Sequence, residues 1–217
     1  MSDAPRVRAD ALRLVAVTDS LHDGVDGLAR RAAAAVAGGA TMLTLRLPGE
    51  SPRVLAEAAR ALRAAAPGVP LLVSDRVDVA LAVDADGVHL GSNDLSAAAV
   101  RRFAPRRLVI GVSVGSAQEA GRAEGADFVA VGPVYAASLA TSDAGQERVA
   151  MGVVRFAELV TECGLPAIAV GGVSTSNASA LMAAGASGVA VISALLGADD
   201  PTVVARALRS ALGASER

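Results

Sequence analysis

Short apolar runs recur along the chain, each a few residues long and apolar on both faces. They cover Leu12–Thr18, Thr41–Leu45, Leu71–Ser74, Gly87–Leu90, Leu108–Val112, Phe128–Val131, Ala167–Val170 and Gly188–Val191. Runs of this length without polar alternation predict buried parallel strands. Ala-rich segments with helical spacing alternate with them: Val25–Ala37, Pro52–Ala65, Val77–Ala82, Ser96–Phe103, Ser116–Ala123, Val149–Glu162, Asn177–Ala184 and Thr202–Leu212. Ala and Leu are strong helix formers. Gly38-Gly39-Ala40, Gly125-Ala126 and Gly185-Ala186 each stand between a helix and the next strand, where glycine takes the left-handed cap conformation. Eight strand-then-helix units predict an α/β fold, a (β/α)8 TIM barrel, as a single domain over residues 1–217. The competing open, doubly wound sheet wants a Gly-rich phosphate turn after its first strand, and Val17-Thr18-Asp19-Ser20 is not one. Residues 1–10 read as a polar N-terminal extension, and the small, polar loop over 136–148 as a mobile active-site lid.

Composition narrows the chemistry. The 217 residues are 53% hydrophobic, enough for one large core, but only 2% aromatic with no Trp. That argues against nucleic-acid binding by base stacking, and a net charge of -2 supplies no basic field for a polyanion. The single cysteine, Cys163, excludes a disulfide framework and reads as structural, and two histidines, His22 and His89, cannot form a three-histidine zinc centre. All 20 basic residues are Arg. The absence of Lys removes Schiff-base aldolases, pyridoxal-phosphate enzymes and a lysine-bearing phosphate loop. An anion site here must use Arg, backbone N–H groups, hydroxyls or a metal.

Mean hydropathy is high, +0.46, and the stretch from Cys163 to Ala198 carries no charge. Gly171-Gly172, Ser174-Thr175-Ser176-Asn177, Gly185 and Gly188 cut that stretch into pieces shorter than the roughly 18–20 apolar residues of a spanning helix. Met1 to Asp10 lacks the apolar region of a signal peptide. The expectation is a cytoplasmic protein that takes neither membrane nor nucleic acid as partner.

In a (β/α)8 barrel the active site lies at the C-terminal ends of the strands. The residues expected there are Thr18 and Asp19, Arg46, Ser74-Asp75-Arg76, His89 with Gly91 and Asp94, Ser113, Gly132-Pro133, Gly171-Gly172, and Ile192-Ser193. Asp75 and Asp94, on neighbouring strand ends, suit a shared Mg2+ or, equally, the N-caps of the helices that follow. Gly171-Gly172 and Ile192-Ser193 follow strands seven and eight, where barrels often bind phosphate; a plain tight turn is the alternative. Arg46 ends an otherwise apolar strand and needs an anionic ligand or a rim carboxylate. His89, inside Val88-His89-Leu90, is either a satisfied core histidine or a pocket wall.

These residues stand in segments that resemble thiamine-phosphate synthases. Ser74-Asp75-Arg76-Val77-Asp78-Val79-Ala80, then Ala85-Asp86-Gly87-Val88-His89-Leu90-Gly91-Ser92-Asn93-Asp94-Leu95, carry the most specific part of the resemblance. Gly111-Val112-Ser113, Val131-Gly132-Pro133-Val134-Tyr135, Ala169-Val170-Gly171-Gly172-Val173 and Val189-Ala190-Val191-Ile192-Ser193-Ala194 continue it in order, from about Leu14 to Pro201. The resemblance implies a (β/α)8 barrel transferase of thiamine biosynthesis. Such enzymes join hydroxymethylpyrimidine diphosphate to a thiazole phosphate and release pyrophosphate. It implies Mg2+ as cofactor, held by Asp75 and Asp94, with Arg46 and Ser113 as catalytic residues on the diphosphate. Ser74 would bind substrate, His89 would line the pyrimidine pocket, and Gly171, Gly172, Ile192 and Ser193 would bind the thiazole phosphate. The implied partners are phosphorylated small molecules; family members are often dimers or trimers, which implies a homo-oligomer as an option.

The chain also departs from the family pattern. Where the family reads Gln-x-Arg-x-Lys, it has Thr44-Leu45-Arg46-Leu47-Pro48. Ser74 replaces the Asn before Asp-Arg, and Ala136-Ala137-Ser138-Leu139-Ala140 replaces Pro-Thr-x-Thr-Lys. Arg148, Arg76, Thr141 and Ser142 are candidate replacements for the lost contacts. Two other readings stay open on these departures: a paralogue resembling thiazole tautomerases, and a noncatalytic phosphate-ligand binder. Against the tautomerase, that relative carries His where this chain has Pro133 and lacks the second metal Asp, present here as Asp94.

Overall fold

Strands that are apolar on both faces need an apolar layer on each side. A closed barrel supplies both, an interior and an outer ring of helices. The structure, a computed structural model, describes residues 7–21, 23–136 and 149–213. Its strands are β1 (Leu14–Val17), β2 (Met42–Leu45), β3 (Leu71–Ser74), β4 (Gly87–Leu90), β5 (Val109–Val114), β6 (Phe128–Val131), β7 (Ala167–Val170) and β8 (Gly188–Val191). They pair in parallel in chain order, and β8 closes on β1 through Leu14↔Val189, Val15↔Ala190 and Ala16↔Val191. The helices are α1 (Gly24–Ala37), α2 (Pro52–Ala65), α3 (Val77–Ala82), α4 (Ala97–Arg101), α5 (Ala117–Ala120), α6 (Gly152–Cys163), α7 (Ala178–Ala183), α8 (Ser193–Leu196) and α9 (Pro201–Ala211). Among the described residues no helix is long and apolar enough to cross a membrane.

The two-residue period of each strand sorts its side chains between the layers. Val15, Val17, Met42, Leu72, Phe128 and Ile168 fill the barrel interior. Leu14, Ala16, Leu43, Leu45 and Val73 belong to the outer layer, with Leu28, Leu55, Leu62, Leu159 and Leu208 of the helices. Each fully buried Leu contributes about 1.5–3 kcal/mol.

Several boundaries differ from the sequence expectation. The first strand starts at Leu14, because Ala9–Leu12 forms a 3-10 turn. Leu12 and Val7 are buried in the interior cluster. Part of the extension expected to be polar therefore seals the barrel. β5 continues through Ser113 and Val114, which pair with Ala130 and Val131. Ser96 and Ser116 stand outside their helices as N-caps, accepting the N–H groups of Ala99 and Glu119. The cap conformation expected at Gly38-Gly39 falls on Gly39, with φ 115°. α8 was not anticipated.

At the N-terminal ends of the strands, one device is used twice. Asp86 Oδ2 accepts the N–H of Leu71 at 2.8 Å and pairs with Arg63. Asp127 Oδ2 accepts the N–H of Ile110 at 2.7 Å and pairs with Arg101. Each carboxylate at a strand entry thus ties down the preceding strand and a guanidinium.

Candidate active site

Inward-facing residues at the C-terminal ends of the strands line a cavity of about 440 Å3. On the β2 segment Thr44 and Arg46 face it, while Leu43, Leu45 and Leu47 join the outer layer. Ser74, His89 and Ser113 extend the polar lining across β3 to β5, and Phe128, Ile168 and Val170 form an apolar wall on β6 and β7. Gly171, Gly172, Ile192 and Ser193 complete the rim. The cavity therefore has two unlike polar ends. One is built from side chains, the other mainly from glycine backbone and a helix start.

Asp75 is presented by a tight turn. The Arg76 N–H bonds Ser74 O at 2.6 Å and Asp75 has φ 65°, so the end of β3 is a γ-turn with a left-handed centre. This conformation costs a non-glycine residue about 1–3 kcal/mol. The Asp75 N–H bonds His89 O at 2.8 Å, which fixes the turn to β4. The N-cap position of the helix that follows is held by Arg76, not Asp75. Asp94 does not cap either: Ser96 caps α4, and Asp94 Oδ2 accepts the N–H of Gly91 at 2.7 Å. Gly91 lines the cavity; Asp94 is not among the lining residues.

His89 Nε2 and Ser113 Oγ are 2.9 Å apart, joining β4 to β5. The His89 ring tilts 42° to Phe128 with centroids 6.0 Å apart. Gly111 makes room for both rings, since a Cβ there would stand 2.3 Å from Phe128 Cζ and 2.8 Å from His89 Nδ1. Burial is the main force on His89. It lowers the imidazole from 6.5 to about 4, with Asp94 opposing and Arg46 assisting. At neutral pH His89 is therefore an uncharged hydrogen-bonding group.

That shift carries a stability prediction. The unfolded chain binds the proton near 6.5 and the folded chain only near 4, so stability rises with pH across this window. The contribution is complete above about pH 6.5, and up to about 3 kcal/mol is lost as pH falls toward 4. Urea midpoints measured from pH 7.5 to 4.5 should fall, and fall less steeply in His89→Gln. Equal slopes in the two proteins would contradict the assignment.

At the other end, Gly171 and Gly172 have φ of 92° and 63°. A Cβ on Gly172 would lie 2.6 Å from both Tyr135 Cβ and Ala136 O. Only glycine fits this loop, which leaves backbone open to an approaching ligand. Asn177, read in the sequence only as a helix start, holds the loop: Nδ2 donates to Gly172 O at 2.9 Å and Oδ1 accepts the Ser174 N–H at 2.8 Å. The short helix α8 starts at Ser193 on the same rim.

Other expected rim residues stand elsewhere. Thr18 is fully buried, and neither it nor Asp19 lines the cavity. Arg76 does not line the cavity and is turned to Asp78, bonding it through Nε and Nη2 at 2.8 and 2.5 Å. His22, Thr141, Ser142, Arg148 and the 136–148 loop beyond Ala136 lie outside the described residues. Cys163 is half-buried at the end of α6, where burial raises its thiol.

A family model described as thiamine monophosphate synthase matches residues 14–195. The chain belongs to this family. The thiamine monophosphate synthase match spans every strand of the barrel and both ends of the cavity. The thiamine-phosphate synthase of Azorhizobium caulinodans is 43% identical over 210 residues, covering 95% of this chain and 97% of the relative. That of Xanthobacter autotrophicus is 43% identical over 205 residues, covering 93% and 95%. Among solved structures, thiamine phosphate pyrophosphorylase from Pyrococcus furiosus superposes with a TM-score of 0.81 at 35% identity, covering 94% of this chain and 96% of the other.

Proposed function

We propose that this thiamine monophosphate synthase family member joins hydroxymethylpyrimidine diphosphate to thiazole phosphate. The C–O bond between the pyrimidine methylene and the diphosphate breaks, the thiazole nitrogen forms a C–N bond to that methylene, and pyrophosphate leaves. The observation that carries this reading is the two-ended cavity, with Arg46 and Asp75 at one end and Gly171-Gly172 and Ile192-Ser193 at the other. Barrel phosphate sites are typically built from the loops after strands seven and eight and a short extra helix, the place held here by α8. That end suits the thiazole phosphate, and Arg46 with the Ser113 hydroxyl suits the diphosphate.

Asp75 and Asp94 are the residues that would hold Mg2+. Among the described residues no group of three or more His, Cys, Asp or Glu could enclose a metal. A site of one or two carboxylates completed by water and substrate phosphate oxygens fits Mg2+. When bound, the ion would neutralise charge gathering on the departing diphosphate. Arg46 adds a fixed positive charge for the same leaving group. His89, kept neutral by burial, places no positive charge beside a pyrimidine that becomes cationic as the bond breaks. The apolar wall of Phe128, Ile168 and Val170 limits water at the electrophilic carbon. Clamping the thiazole phosphate turns the attack into an effectively unimolecular step.

The test is turnover. Purified protein, both substrates and Mg2+ should yield thiamine phosphate and pyrophosphate in equal amounts, with no thiamine phosphate when Mg2+ is chelated. No product at saturating substrate would overturn the proposal, and conversion of a thiazole tautomer instead would favour the tautomerase reading.

A further inference from the structure

β2 ends at Leu45, yet Arg46 still faces the barrel interior, one step along the alternation that Thr44 begins. Thr18, immediately after β1, accounts for this. Its N–H bonds Thr44 O at 3.0 Å. Its Oγ1 accepts the Arg46 N–H at 2.8 Å and donates to Arg46 O at 2.9 Å. One hydroxyl thus satisfies both backbone polar groups of Arg46, and the side chain has no exposed surface. Without it both groups would lose these bonds beside the end of the ladder.

We propose that Thr18 is a positioning residue for Arg46, its hydroxyl extending the β2 backbone by one residue so that the guanidinium enters the cavity. This rests on the proposed role of Arg46 at the diphosphate end. Thr18 itself does not line the cavity and acts only through Arg46. A hydroxyl is required because the same atom must accept and donate. Valine has nearly the same shape and can do neither.

The test measures binding of inorganic pyrophosphate with Mg2+ and, separately, of thiazole phosphate. The proteins are the intact wild type, Thr18→Val, Thr18→Ser, Arg46→Ala and the Thr18→Val/Arg46→Ala double variant. Thr18→Val should weaken pyrophosphate about 10- to 100-fold, Thr18→Ser less than about threefold, and neither should change thiazole phosphate. In the Arg46→Ala background Thr18→Val should have little further effect. Unchanged pyrophosphate binding in Thr18→Val overturns the positioning role and leaves the proposed reaction standing. Equal weakening of both ligands, or additive losses in the double variant, means a merely structural residue and also overturns it. A wild type that binds no pyrophosphate overturns the proposed function itself, and the positioning role with it. Should Thr18→Val fail to fold, amide exchange in the wild type decides: the Arg46 amide should be protected to the level of β2, and rapid exchange would sink the proposal.

Discussion

Asp75→Gly should lose thiamine phosphate synthesis while folding at least as well as the wild type. The carboxylate is proposed to hold Mg2+, and metal stabilisation of a leaving group amounts to several kcal/mol, so kcat/KM should fall about 10^2- to 10^4-fold. The backbone argues the opposite sign for stability. Asp75 sits at φ 65° in a γ-turn, a conformation glycine adopts without steric cost. Relief of about 1–3 kcal/mol of strain offsets the greater freedom glycine gives the unfolded chain. Activity assays and thermal melts on the same samples check both halves. A variant that is inactive and much less stable would make Asp75 a structural residue; one that remains active would remove it from the metal site.

Asp127→Ala should be the most damaging substitution far from the cavity. Asp127 is nearly buried and its Oδ2 serves both the Ile110 N–H and Arg101. Arg101 is only 18% exposed and also donates to Leu108 O and Gly125 O. Removing the carboxylate leaves a mostly buried guanidinium without its counter-charge and an unpaired strand N–H. Breaking such a pair costs about 3–5 kcal/mol, which in a chain of this size lowers Tm by roughly 6–20 °C. The matching change at Asp86, whose pair with Arg63 is about 40% exposed on each side, should cost far less. Calorimetry of the two variants compares them directly, and equal losses would contradict the role given to burial.

The strands were legible because each is apolar on both faces and short, which only a sheet covered on both sides explains. Most of the cavity was legible through one rule, that barrel chemistry sits at strand C-termini. Arg46, Ser74, Asp75, His89, Ser113, Gly171, Gly172, Ile192 and Ser193 all line it. What escaped depends on register or on local geometry without a sequence mark. Thr18 reads as one more rim residue until β1 is aligned with β2, when its hydroxyl falls on the Arg46 backbone instead of facing the cavity. The γ-turn at Asp75 contains no glycine to announce it. α8 is a four-residue apolar segment, too short for helical periodicity. Val7 sits among polar neighbours, and only the open end of the barrel gives it a reason to be buried.

The most direct test of the two-ended cavity is a crystal structure of the protein with Mn2+, pyrophosphate and thiazole phosphate, with the metal located by its anomalous signal. Mn2+ should lie on Asp75, pyrophosphate between that ion and Arg46, and the thiazole phosphate on the backbone of Gly171-Gly172 and Ile192-Ser193. A metal away from Asp75, or both anions at the glycine end, would contradict it.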